Sequence, residues 1–94
     1  MILNVLKVNK FVSSDNFMIK DPIAVKFGEN VRLFRAKLGK SQEELAFDSD
    51  LDRTFIGHIE RGSRNVTLLT ICKLAKALQT RPRDLVKDLE SIPV

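Results

Sequence analysis

The sequence has few of the residues from which catalytic and metal sites are built. Among its 94 residues there is one cysteine, Cys72, and one histidine, His58. A single cysteine excludes an intramolecular disulfide and a cysteine-rich metal site, and it fits a reducing cytoplasm. No glycine-rich phosphate loop, metal-ligand spacing or nucleophile elbow occurs. A chain this short also builds a modest core with little room for a deep pocket. The carboxylates are accounted for as helix caps or surface charge, so no catalysis, metal or cofactor is expected. Long apolar runs are absent too. Ile2, Leu3, Val5, Leu6, Val8, Phe11 and Val12 are interrupted by Asn4, Lys7, Asn9 and Lys10. That segment is too short and too polar to span a membrane, and it lacks the features of a signal peptide. No membrane partner is expected, and no internal repeat or low-complexity tract is found.

What is present is a basic, patterned chain of one-domain length. Sixteen lysines and arginines against twelve acids give a net charge of +4 and a pI of about 9.5. That balance permits nucleic acid as a partner without demanding it. The chain divides into an N-terminal arm (1–20), a domain (21–90) and a short tail (91–94). The arm admits three readings: an extended strand added at a dimer edge, a loosely ordered arm, or an upstream start with Met18 as the true initiator.

Asp21 and Pro22 open the domain, since aspartate caps a helix and proline suits its first position. Ile23, Phe27, Val31, Phe34 and Leu38 then mark one face of a long helix closed by Gly39. Lys26, Arg32, Lys37 and Lys40 lie off the stripe, on a solvated face. Ser41 and Glu44 form a capping box for a second helix, with Leu45 and Ala46 inward, running to about Ser49. Asp50 suits a left-handed turn and Asp52 caps a third helix, Arg53 to Arg61, stopped by Gly62. Two short helices joined by a few residues constitute a helix-turn-helix. Thr67 caps a fourth helix with Leu68, Ile71, Leu74, Ala75 and Leu78 buried, and Cys72 packs beside Ile71 as a small apolar residue. Pro82 opens a fifth helix with Leu85, Val86 and Leu89 apolar. The expected fold is all-α.

The strings SQEELA, LDRTFI and IERGSRN resemble the phage-repressor and Cro-like (XRE-type) helix-turn-helix family over Phe27 to about Leu85. The run LDRT…IERGSRN is also similar to small controller proteins of restriction-modification systems. The resemblance implies a five-helix, lambda-repressor-like DNA-binding domain. It implies that Gln42 contacts DNA backbone or an adjacent base, that Arg64 and Asn65 contact backbone, and that Glu60 pairs with Arg35 on the first helix. Gln79 stands where the family usually has glycine and Arg81 where it usually has a serine cap, which leaves the end of the fourth helix undefined.

Chemistry supports the same surface. A recognition helix needs donors at its N-terminal end; Arg53 offers a planar fork matching guanine, and Thr54 a hydroxyl and a methyl. Gly57 and His58 follow one turn later as further base-contacting candidates. Arg61 and Ser63 join Gln42, Arg64 and Asn65 on the backbone-contacting list. Leu85, Val86, Leu89 and Ile92 carry more apolar surface than one domain covers and are expected to form a homodimer interface. The expected function is a cytoplasmic transcriptional regulator binding inverted repeats in double-stranded DNA. It would block RNA polymerase or touch it, and would control restriction-modification genes and its own expression. The competing reading is an antitoxin-type helix-turn-helix protein whose main partner is another protein.

Overall fold

A computed structural model of the protein describes residues 21–94; the readings of residues 1–20 lie outside the described residues. The described chain is helical: α1 (Pro22–Lys37), α2 (Gln42–Ser49), α3 (Arg53–Arg61), α4 (Leu68–Ala77), the single turn α5 (Pro82–Leu85) and a 3-10 turn (Leu89–Ser91). Each start has a local cause. Asp21 Oδ1 accepts from Ile23 N at 2.8 Å ahead of Pro22. Ser41 Oγ accepts from Glu44 N at 3.0 Å while Glu44 Oε1 accepts from Ser41 N at 2.7 Å, completing the capping box. Thr67 Oγ1 accepts from Thr70 N at 3.1 Å. At α5, Asp84 Oδ2 accepts from both Arg81 N (3.1 Å) and Thr80 Oγ1 (2.7 Å), replacing the missing serine cap.

The first four helices end in one way. A residue with positive φ (Gly39, Asp50, Gly62, Gln79) is followed by an N–H that reaches back five residues to a helix carbonyl, as in Lys40 to Arg35 and Ser63 to His58. This closure satisfies carbonyls that the helix end would otherwise leave unpaired. At Gln79 (φ 57°) a non-glycine residue carries it, which defines the end of α4.

The core is continuous through all five helices: Phe27 and Val31 of α1, Leu45 and Ala46 of α2, Ile56 and Ile59 of α3, Leu74, Ala75, Ala77 and Leu78 at α4, and Leu85 of α5. α1 crosses α3 at Gly28, where an added Cβ would collide with the backbone carbonyls of Ile59 and Glu60. Asn30, buried among these apolar side chains, donates through Nδ2 to the carbonyls of Leu85 (2.9 Å) and Lys87 (3.0 Å), tying the first helix to the last.

Several expectations are corrected. Cys72 is exposed, because two residues from Leu74 on a 3.6-residue turn places it opposite the buried stripe. Leu68 is 81% exposed, beyond the edge of that stripe. The fifth helix stops at Leu85 instead of reaching Leu89, and Asp88 takes a left-handed φ of 68°. Leu85 is completely buried in the chain's own core and has no surface to offer a second copy, whereas Val86, Leu89 and Ile92 stay half-buried. Lys40, expected on the solvated face, bridges Asp48 (2.7 Å) and the Ala77 carbonyl (2.7 Å).

Candidate nucleic-acid interface

The candidate surface is the outer side of α3 and the loop after it. Asp52 caps α3, its Oδ2 accepting from Thr54 N (2.9 Å) and Phe55 N (3.3 Å), so the first turn is fixed in place. Ile56 and Ile59 point into the core and Phe55 packs against it, which turns Arg53 and Thr54 outward, both exposed. Gly57 is the third base-contact candidate of this helix. It is buried, and the space a Cβ would occupy lies 3.2 Å from an Arg61 Nη and 3.7 Å from an Arg53 Nη. Gly57 thus forms the floor under two guanidinium groups.

His58 is half-buried beside them. Its Nδ1 lies 3.2 Å from Arg61 Nη2 and 3.2 Å from Ser63 Oγ, and Ser63 Oγ is also 3.2 Å from the His58 carbonyl. Partial removal from water holds the imidazole below its usual pKa, and the positive charges of Arg64 and then Arg61 push the same way. His58 therefore favours its neutral form more than a free imidazole does.

Gly62, with φ 78°, sits directly against Val25 of α1 and leads into Ser63, Arg64 and Asn65. Arg64 Nη1 donates to the Ser63 carbonyl at 3.0 Å, and Asn65 is exposed. Behind this surface, Arg35 and Glu60 form a two-pronged pair, Nε to Oε2 at 2.6 Å and Nη2 to Oε1 at 2.9 Å. The Glu60 side chain is only 3% exposed. Its carboxylate raises the Arg35 pKa through the hydrogen bond, against the opposing effect of burial. Arg35 Nη1 also donates to the Lys40 carbonyl at 2.8 Å. Gln42, assigned from the sequence to DNA backbone, has its Nε2 committed to Glu60 Oε1 at 2.9 Å. The network joins α1, α2 and α3 and sets the angle at which α3 is presented.

Sequence reasoning missed Asn30 and Gly28, which fix α1 against α5 and α3. Asn30 had a visible signal: it is a polar residue between Phe27 and Phe34, within the apolar stripe. Among the described residues no cluster of His, Cys, Asp or Glu could hold a metal ion, and no helix is long and apolar enough to cross a membrane.

This arrangement, two short helices at a three-residue turn with a basic outer helix, matches the family model described as helix-turn-helix over residues 31–85. The chain belongs to the XRE-type helix-turn-helix family. Like other members of this helix-turn-helix family, it is a transcription regulator. It is 52% identical over 65 residues to control protein C.BamHI of Bacillus amyloliquefaciens, spanning 68% of this chain and 80% of that relative. Among solved structures, the restriction-modification controller protein C.AhdI of Aeromonas hydrophila superposes with a TM-score of 0.65 at 55% identity, over 66% of this chain and 94% of that one. The controller protein C.Esp1396I, solved as a tetramer with its natural 35 base-pair operator, superposes with a TM-score of 0.68 at 32% identity, over 77% of this chain and 95% of that one.

Proposed function

We propose that the protein is a restriction-modification controller: a homodimer that binds inverted-repeat operators and regulates a restriction enzyme's gene together with its own. The observation that carries this reading is the exposed Arg53–Thr54 head of α3, capped by Asp52, with His58, Arg61 and Arg64 on the same side. Its likeness to controller proteins, one of them solved on operator DNA, supports the choice of DNA over a protein partner. Arg53 and Thr54 read base edges, with His58 beside them. Arg61, Ser63, Arg64 and Asn65 anchor the backbone, the type of contact that sets affinity and register but carries little sequence information. The protein acts in the cytoplasm without catalysis, by occupying sites that exclude RNA polymerase or lie next to it. The test is selection of bound duplexes from a random pool, followed by gel shifts at two salt concentrations. Enrichment of a two-fold symmetric sequence is expected. Binding with no sequence preference would reject this reading.

A further inference from the structure

We propose that Arg61 is a positioning residue that locks His58 as its Nε2–H tautomer, making His58 a one-way donor that selects a hydrogen-bond acceptor on DNA. This rests on the DNA-binding reading above. A guanidinium has five N–H donors and no acceptor. Its approach to His58 Nδ1 at 3.2 Å is therefore a hydrogen bond only if Nδ1 carries the lone pair. The proton of the neutral ring is then on Nε2. The Ser63 hydroxyl, also 3.2 Å from Nδ1, can rotate to donate to it or to the His58 carbonyl, so it is compatible with this state.

Nε2 makes no hydrogen bond within the described chain. Since no buried polar side-chain atom there lacks a partner, Nε2 is reached by solvent. The charged groups facing the ring, Arg61 from α3 and Arg64 from the following loop, both disfavour a second proton. Gly57 belongs to the same device, because the Arg61 guanidinium lies over the space that a Cβ would take. The result is a neutral donor, able to pair with guanine O6 or N7, adenine N7, thymine O4 or a phosphate oxygen, and unable to accept from the amino groups of cytosine or adenine.

The test has an arm without DNA. Long-range nitrogen-15 NMR of the free protein near pH 7.5 should show a single Nε2–H tautomer. Arg61→Met should mix the two tautomers, and Arg61→Lys, which also only donates, should restore one. In binding to a duplex selected by the wild type, His58→Gln, whose amide N–H can stand in for Nε2–H, should keep the preference over scrambled DNA. His58→Asn and Arg61→Met should each lose roughly two- to tenfold of it, the worth of one hydrogen bond. Equal losses on both duplexes with an unchanged salt slope would identify the acceptor as phosphate. An Nδ1–H or mixed tautomer in the wild type overturns the proposal. So does an Arg61→Met protein with an unaltered tautomer and a salt slope flattened by one unit, which makes Arg61 a plain phosphate anchor. If the wild type binds no DNA, the preceding reading fails and the recognition half of this one with it, while the tautomer is still decided on the free protein.

Discussion

Glu60 accepts three hydrogen bonds, two from Arg35 and one from Gln42, at a site nearly closed to water. Removing it strands a guanidinium and an amide together. Breaking such a pair from one side costs roughly 3–5 kcal/mol, against a total stability of about 5–15 kcal/mol. Glu60→Ala is therefore expected to lower the urea midpoint drastically, and an unchanged midpoint would contradict the burial of the pair. The proposed function assigns reading to Arg53 and anchoring to Arg64, and the two roles are separable. Arg53→Ala should lose about 1–3 kcal/mol on operator DNA and relax preference at one base pair per half-site. Arg64→Ala should weaken all sequences alike and flatten the salt dependence by about one unit per lost phosphate contact. Titrating both variants on operator and scrambled duplexes across a salt series checks this. Equal losses on the two duplexes for Arg53→Ala would reduce that arginine to an anchor. At this scale, the sequence marks residues whose chemistry is local. Asp52 and Ser41 announce caps because a cap needs only its own next few residues. Gln42 facing Glu60, or His58 held by Arg61, depends on rotamers and on how α2 meets α3, which spacing does not encode.

At the scale of elements, α1 to α4 are legible because each has a start signal, an apolar face and a stop. α5 is not. Its apolar residues continue past Leu85, but the turn at Asp88 is imposed by the packing of the last residues and by Asn30, whose two bonds claim the carbonyls of Leu85 and Lys87. Two substitutions test opposite senses of backbone fit. Glycine within a helix costs roughly 0.5–1 kcal/mol relative to alanine, so Gly28→Ala would stabilise an isolated α1. Here the new methyl meets the backbone of α3, including Glu60 O at 2.9 Å, and overpacking costs about 1–3 kcal/mol. The clash dominates, and thermal unfolding should show net destabilisation with weaker DNA binding. At Gln79 the left-handed conformation costs about 1–2 kcal/mol for a side chain other than glycine, and the position is exposed. Gln79→Gly should therefore gain about 0.5–1 kcal/mol after the extra freedom of glycine in the unfolded chain is deducted. A loss of stability would mean that its side chain makes a contact outweighing the strain.

For the whole molecule, the expected assembly is a dimer with recognition helices about 34 Å apart, one turn of DNA. Leu85 is spent inside the protomer, so any C-terminal contact must come from the half-buried Val86, Leu89 and Ile92. Sedimentation at micromolar concentration is expected to give a dimer, with half-sites about 10 base pairs apart in selected operators. A monomer that binds single half-sites without cooperativity would refute it. The bond between Asn30 and the far end of the chain has a consequence for the birth of the protein. Its partners lie 55 and 57 residues downstream, so the first helix cannot satisfy its buried amide from its own neighbourhood, and its seat is completed only when the segment up to Lys87 has left the ribosome and docked. A chain truncated before Leu85 would keep the helix-turn-helix on an unlatched first helix. Docking of the Leu85–Lys87 segment, rather than formation of the two helices of the motif, is the step that latches the first helix.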